Sequence, residues 1–190
     1  MYPQGHATSV TVAGLGDRLE GERRPGFFAG VATVVAKLLL QALPDVAFFG
    51  EKDYQQFLVI ERMVRDLDIP VAVVALPTVR EPNGLPLSSR NAYLSPEQRA
   101  VAPALFRTLE DLAARAATGA EIAALERRAR RALRRIGFDR VNYITVRDAE
   151  TLEAMARVDR PARALAAAWL GETRLIDNLP VGAPRAAGGR

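Results

Sequence analysis

Residues 50–56 bring together the residue types that bind phosphate. The segment Gly-Glu-Lys-Asp-Tyr-Gln-Gln follows a short apolar run and precedes a helical pattern. A helix start presents free backbone N–H groups and the positive end of the helix dipole, and both favour an anion. Gly50 would let a ligand approach the backbone closely, and Lys52 would place a mobile positive charge beside it. The structural alternative is that Gly50 ends a strand and Asp53 caps a helix.

Residues 87–91, Leu-Ser-Ser-Arg-Asn, are a second candidate for phosphate binding. The hydroxyls of Ser88 and Ser89, together with the planar guanidinium of Arg90, suit a polyphosphate. A mobile loop of this kind could close over its ligand. The alternative is a polar linker between two domains, with Arg90 in solvent.

A basic turn, Arg23-Arg24-Pro25-Gly26, is a third candidate. Its arginines, Arg24 among them, could hold phosphate. A solvated loop is the preferred interpretation of this turn.

The pattern around the first candidate predicts a parallel sheet. Residues 46–49 and 70–76 are short, fully apolar runs, and residues 53–67 between them have apolar positions at helical spacing. Strand, helix and strand in this order indicate a sheet covered on both faces. We also predict a strand at residues 8–12 and a helix at residues 28–43. Two or three strands are fewer than a doubly wound domain normally has.

After Pro77 the pattern changes to a small α+β domain. Glu81-Pro-Asn-Gly84 is a turn signal and a plausible hinge. Ser95, Pro96 and Gln98 predict a capped helix that runs to about residue 116. The remaining predicted elements are a helix at about residues 120–136 and three strands at residues 140–146, 163–170 and 173–176. The fold class is therefore α/β, with a partial Rossmann-like domain at residues 1–82 and a second domain at residues 83–190 that contains a three-stranded antiparallel sheet.

Composition narrows the function classes. The chain has no cysteine and one histidine, His6, so disulfides, thiolate metal sites and any mechanism with two histidines from this chain are excluded. No apolar stretch is long enough to cross a membrane, and a cytoplasmic protein is the default expectation. The net charge is +4. Six arginines at 127, 128, 130, 131, 134 and 135 keep a nucleic-acid binder open as an alternative, but no aromatic side chains alternate with them, which favours a solvated helix face.

Taken together, the segments resemble the pantothenate synthetase (pantoate–β-alanine ligase) family. The matching residues are 1–5, 19–21, 24–26, 28–31, 44–45, 49–56, 77–80, 84–85, 87–91, 147–148, 166–171 and 174–178. The resemblance implies a nucleotidyltransferase-type Rossmann-like fold and a reaction in which pantoate and ATP, with Mg²⁺, form pantoyl adenylate. The acyl group then passes to β-alanine. It also implies a homodimer, and neither nucleic acid nor a membrane as a partner.

The resemblance implies roles for individual residues. The residues that would line the nucleotide site are Gly50, Glu51, Lys52, Asp53, Val79, Leu87, Ser88, Ser89 and Arg90. Among them, Lys52, Ser88, Ser89 and Arg90 would act on the phosphates, and the backbone of Val79 would contact adenine. Gln56 would hydrogen-bond pantoate, and Arg24 is a further candidate for substrate binding. Electrostatic stabilisation is the main requirement of such a reaction, which fits these residue types.

Two departures from the family pattern stand out. The family's His-x-Gly-His motif cannot be present in a chain with one histidine. In the family this motif, a second pantoate-binding Gln and the Mg²⁺-binding Asp lie ahead of the part that corresponds to residue 1. Phe27 also stands where the family usually has His. We therefore expect a carboxy-terminal portion of the enzyme that is inactive by itself; the alternative is a non-enzymatic remnant or partner-binding fragment.

Overall fold

The computed structural model describes residues 1–182, which form two compact units. The first unit comprises Met1–Pro77 and the second begins at Thr78. The helices are α1 (Glu20–Arg23), α2 (Phe27–Ala42), α3 (Tyr54–Asp66), α4 (Pro96–Val101), α5 (Ala104–Ala117) and α6 (Ile122–Ile136). The strands are β1 (Val46–Gly50), β2 (Ala72–Leu76), β3 (Arg140–Asp148), β4 (Ala162–Leu170) and β5 (Thr173–Val181).

In the first unit, β1 and β2 form a parallel pair connected through α3. Their register sets Val46 opposite Ala72 and Gly50 opposite Leu76. A single 3₁₀ turn, Glu51–Asp53, joins β1 to α3. Helix α3 buries an apolar face that includes Leu58, Val59, Ile60 and Met63. The predicted strand–helix–strand order is confirmed, and it places residues 50–53 at the carboxyl end of a parallel strand.

The sheet of the first unit is not covered on both faces, contrary to the prediction. Alternate residues of both strands are exposed, among them Val46, Phe48, Val74 and Leu76, and Phe48 retains 62% of its accessible surface. Helix α3 packs against both strands. An apolar run indicates that a strand favours burial, but it does not indicate which residues would cover each face of the sheet.

Residues 8–12 do not form a strand, so that prediction is wrong. Their alternation is real, but the Val10 N–H donates to the Thr33 Oγ1 of α2 at 2.9 Å instead of pairing with a strand. Thr33 Oγ1 in turn donates to the Ala29 carbonyl oxygen one turn earlier in α2. The segment is therefore held to a helix by a side chain, and alternation alone does not distinguish this from pairing in a sheet.

The second unit packs helices on the antiparallel sheet β3–β4–β5. Strands β4 and β5 are joined by the two-residue turn Gly171–Glu172, as predicted, with Gly171 at φ +55°. The capping box is also confirmed: Ser95 Oγ accepts from the Gln98 N–H, and Gln98 Oε1 accepts from the Ser95 N–H. The predicted single helix to residue 116 is two helices, because Pro103 cannot donate an intrahelical hydrogen bond.

The core of the second unit lies between α5, α6 and the sheet. Its fully buried side chains include Leu109, Leu112, Leu133, Ile144 and Val146. The apolar stripe of α6 supplies Ile122, Ala129 and Leu133, as its periodicity predicts, and Gly137 ends the helix in the left-handed region. Residues 79–87 also belong to this unit, and within them an isolated bridge pairs Arg80 with Pro86. The compact units thus divide five residues before the boundary placed at residue 82.

Asp148, at the end of β3, is a buried carboxylate with several hydrogen-bond donors. Burial raises its pKa, but the Thr151 N–H, the Arg160 guanidinium and the Glu150 N–H donate to it and bring the pKa down to about 2. Its carboxylate therefore fixes the turn after β3.

The lowered pKa of Asp148 predicts a defined loss of stability in acid. The folded-state pKa of about 2 lies below the ordinary value of 3.8. The charged form thus contributes about 2 kcal/mol above about pH 4, and this contribution is lost as the pH falls towards about 2. Urea unfolding of wild type and Asp148→Asn at about pH 7 and pH 3 measures it. The difference between the two proteins should shrink at the lower pH; an unchanged difference would contradict the assignment.

Candidate functional site

Lys52 lies on the 3₁₀ turn between β1 and α3. Its side chain is 19% exposed, and Nζ is 4.0 Å from Asp53 Oδ2. An ideal Cβ on Gly50 would meet no other atom within 4 Å, so the backbone at the end of β1 is open to a ligand. Asp53 occupies the cap position of α3 but makes no side-chain hydrogen bond to its first turn. The structural alternative for Asp53, a helix cap, therefore has no support here.

Gln55 and Gln56 differ sharply in their surroundings. Gln56 is half-buried, whereas Gln55 is buried and its Nε2 donates to the carbonyl oxygens of Leu15 and Arg18, at 2.7 Å each. Gln55 Oε1 accepts from the Glu20 N–H at 3.2 Å. Gln55 thus anchors the loop before α1 to α3. The sequence did not indicate this role, because two adjacent glutamines cannot be told apart by residue type alone.

Arg24, the third candidate, is stacked on an aromatic ring. Its side chain is exposed, and its guanidinium carbon lies 3.6 Å from the centroid of the Phe27 ring. This geometry is a cation–π contact. Phe27 stands where the resemblance predicts a histidine. Its ring covers one face of the Arg24 guanidinium.

In the second unit, residues 79–87 form a tight hairpin that joins two predicted contact segments. The Leu87 N–H donates to the Val79 carbonyl oxygen at 2.9 Å, and the Glu81 N–H donates to the Leu85 carbonyl oxygen at 2.8 Å. Gly84 turns the chain at φ +92°. Val79 and Leu87 are both exposed. The residues proposed to contact adenine and to start the phosphate loop therefore lie side by side.

The predicted phosphate loop continues as a 3₁₀ turn, Ser89–Tyr93. Ser88 Oγ accepts from the Arg90 N–H at 3.3 Å, and the side chains of Ser89 and Arg90 are exposed. Asn91 is buried and its Nδ2 donates to the Pro86 carbonyl oxygen at 2.9 Å. The loop thus presents its polar residues outward while Asn91 fixes its far end to the hairpin.

The arginine-rich face of α6 is partly used within the second unit. Arg130 Nη1 donates to the Val141 carbonyl oxygen at 2.6 Å, and Arg128 Nη2 lies 4.0 Å from Asp111 Oδ2. These contacts favour the structural interpretation of that face over nucleic-acid binding. No helix among residues 1–182 is long and apolar enough to span a bilayer.

The residues present do not form a metal site by themselves. Over the described part of the chain, no group of three or more His, Cys, Asp or Glu side chains is placed to hold a metal ion. Mg²⁺ is usually held by one or two carboxylates together with substrate phosphates and water.

Each unit carries a candidate phosphate contact, Lys52 just after strand β1 in the first unit and the Ser88–Arg90 loop in the second. These residue types are typical of nucleotide-binding proteins. Sequence comparison assigns the chain more narrowly: the pantoate-beta-alanine ligase family matches residues 1–180, and the chain belongs to that family. A pantothenate synthetase of Paramagnetospirillum magneticum is 60% identical over 181 residues, which are 95% of this chain and 64% of that protein. One of Rhizorhabdus wittichii is 55% identical over the same length.

Solved structures of the family have the same fold. The crystal structure of pantothenate synthetase from Thermus thermophilus matches with a TM-score of 0.89 and 50% identity, over 96% of this chain and 67% of that one. Pantoate-beta-alanine ligase from Francisella tularensis, complexed with beta-gamma ATP and beta-alanine, matches with a TM-score of 0.73 and 30% identity. The chain thus spans about two-thirds of the length of the relatives that it matches, and the predicted α/β fold class is confirmed.

Proposed function

We propose that this chain is part of an ATP-dependent ligase that joins pantoate to β-alanine. The observation that carries the proposal is the hydrogen bond from the Leu87 N–H to the Val79 carbonyl oxygen, at 2.9 Å. It sets the proposed adenine contact beside the loop proposed to bind the phosphates. The complex of the Francisella tularensis relative supports ATP and β-alanine as ligands of the family.

The proposed reaction has two steps. A carboxylate oxygen of pantoate attacks the α-phosphorus of ATP, the bond to the β-phosphate oxygen breaks, and pyrophosphate leaves. The amine of β-alanine then attacks the acyl carbon of pantoyl adenylate, and AMP leaves as pantothenate forms. The first step brings two anions together and releases a third, so positive charge and positioning supply most of the catalysis.

The residues divide these tasks in the proposal. Lys52 and Arg90 supply positive charge to the phosphates, and Ser88 and Ser89 donate hydrogen bonds to them. Gln56 binds pantoate, while Arg24 stays a weaker candidate because Phe27 covers one face of its guanidinium. The other residues proposed to line the nucleotide are Gly50, Glu51, Asp53, Val79 and Leu87.

Activity also requires a segment that carries the family's His-x-Gly-His motif. This chain has one histidine and cannot supply it. This requirement can be tested with a fusion, called the joined protein below. In it, the part of the Paramagnetospirillum magneticum relative that has no counterpart in this chain is fused ahead of residue 1. We expect pantoate-dependent release of AMP from the joined protein and none above background from the 190 residues alone.

Two controls make that comparison decisive. Omitting β-alanine should leave pyrophosphate release but stop turnover after about one equivalent, since the adenylate stays bound. Omitting pantoate should stop both. A joined protein that folds but forms no pantothenate would contradict the proposed function, and steady turnover by the 190 residues alone would contradict the requirement for a second segment.

A partner-binding fragment is the second candidate, and the exposed sheet face of the first unit favours it. Phe48 and Leu76 are 62% and 46% exposed, and a contiguous apolar surface of this kind marks an interaction site. We propose as its occupant the same unmatched part of the relative, supplied as a separate polypeptide. The two polypeptides should elute together, and Phe48→Ser should separate them, whereas Leu87→Ser, an exposed residue of the second unit, should not. Separate elution of the wild-type pair would exclude this candidate.

The proposal extends to the cellular location and the oligomeric state of the protein. We propose a cytoplasmic homodimer that contacts neither nucleic acid nor a membrane. Sedimentation equilibrium of the joined protein measures the assembly, and a strictly monomeric protein at micromolar concentration would contradict it.

A further inference from the structure

Arg80 ties the hairpin of residues 79–87 to strand β5. Its Nη1 donates to Asp177 Oδ2 at 2.8 Å, and its Nη2 donates to Asp177 Oδ1 at 2.9 Å. Nη1 also donates to the Gly84 carbonyl oxygen at 3.0 Å, and Nη2 to the Asn178 carbonyl oxygen at 3.3 Å. One guanidinium therefore holds the hairpin's strand, its turn and the sheet together.

The same guanidinium lies over an aromatic ring of α5. The Arg80 guanidinium carbon is 4.2 Å from the centroid of the Phe106 ring. An ideal Cβ on Gly84 would lie 2.3 Å from Phe106 Cδ1, so the turn packs directly against that ring. Phe106 thus supports both the arginine and the turn, and the hairpin has little freedom to move away from α5.

Asp177 is itself fixed to the sheet. It is 2% exposed and pairs with Ala166 of β4 in the strand register. The Asn178 N–H donates to Asp177 Oδ1 at 2.7 Å, and Asn178 Oδ1 accepts from Arg163 Nε at 2.7 Å. Because the Asp177 carboxylate is fixed on strand β5, its ion pair with Arg80 fixes the hairpin relative to the three-stranded sheet.

A buried ion pair is weak evidence for stability, because its desolvation cost offsets most of its attraction. Apolar residues of similar size would fill such a site at little or no cost. The two-pronged geometry instead fixes direction and distance, which a nucleotide-binding backbone needs.

We propose that Arg80 and Asp177 are positioning residues for ATP: their ion pair holds the Val79–Leu87 hairpin in the conformation that binds the nucleotide. The inference rests on the proposed function for its ligand, and on the hairpin geometry for its mechanism. Neither residue touches ATP in this account; both act through the backbone of residues 79 and 87.

Asp177→Asn in the 190-residue chain tests the proposal with two readouts. Without the ion pair the hairpin occupies the binding conformation for a fraction of the time, and the apparent dissociation constant for ATP rises by the inverse of that fraction. We expect ATP to bind about tenfold more weakly in a calorimetric titration, as for a hairpin that is correctly placed about a tenth of the time. Amide hydrogens of Gly84, Leu85 and Leu87 should exchange faster, while those of residues 164–168 in β4 keep their protection.

Asp148→Asn is the matched control, because Asp148 is also a buried aspartate paired with an arginine in the same unit. It should lower stability without changing ATP affinity or hairpin exchange. Arg80→Lys keeps the charge, loses the two-pronged contact and serves if Asp177→Asn does not fold; it too should weaken ATP binding. Wild-type affinity in both hairpin variants would overturn this inference alone. If the 190 residues alone bind no ATP, the same variants are titrated in the joined protein; a joined protein that binds no ATP at millimolar concentration would overturn the inference together with the proposed function.

Discussion

Replacing Lys52 with alanine is expected to lower the rate of pantoyl-adenylate formation by the joined protein about 10²- to 10³-fold. Lys52 stands at the carboxyl end of β1, where open α/β sheets bind their ligands, and its side chain is largely covered at 19% exposure. A cation in such surroundings acts more strongly on developing negative charge than one in bulk water. Pyrophosphate release with saturating pantoate and ATP measures the effect.

The sequence supplies a control for this prediction. It contains two lysines, and the other, Lys37, lies in α2 near the Tyr2 ring. Lys37→Ala removes the same charge and should leave the rate within about twofold of wild type, as surface substitutions usually do. A Lys52→Ala protein that is folded and retains the wild-type rate would remove Lys52 from the mechanism.

Replacing Arg90 with alanine is expected to lower kcat/KM for ATP by about 10²-fold, since one charge-assisted contact to the transferring phosphate is lost. Arg90→Lys should recover only part of that loss, because an ammonium cannot make the two parallel hydrogen bonds of a guanidinium. The kinetic constants for pantoate should change less than those for ATP. Initial rates at varied ATP and at varied pantoate separate the two.

Arg131→Ala is the matched control for Arg90→Ala, because it removes the same charge from an exposed position on α6. Its kcat/KM should equal that of wild type at moderate salt. Equal losses in both variants would show that net charge, and not the Ser88–Arg90 loop, governs the affinity for ATP. Full recovery by Arg90→Lys would exclude the two-pronged contact.

Local signals predicted most of the elements of the second unit. The capping box at Ser95, the stripe of α6 and its stop at Gly137 each depend on residues within a few positions of one another. The two-residue turn at Gly171 is equally local. The prediction was wrong where two local signals conflict: the helical spacing of apolar residues continues past Pro103, but this proline divides the predicted long helix into α4 and α5.

Contacts between distant residues were not predictable from local patterns. Arg80 and Asp177 are 97 positions apart, and Gln55 is 40 positions from the Leu15 carbonyl oxygen that it binds. Neither the residue types nor their spacing in the sequence indicates such a contact. The exposure of one face of β1 and β2 was not predictable from local patterns either, because burial of a strand depends on the elements that lie over it. The candidate site residues came from chemistry and from the family resemblance together.

Acylation of the two lysines in the presence of ATP tests the central claim most directly. The 190-residue chain is treated with a trace of acetic anhydride, with and without millimolar ATP, and the modification of each lysine is followed by mass spectrometry. We predict that ATP slows acylation of Lys52 and leaves Lys37 unaffected, and that AMP, which has no β- and γ-phosphates, protects Lys52 much less. Equal acylation of Lys52 with and without ATP would contradict the assignment of Lys52 to the phosphates.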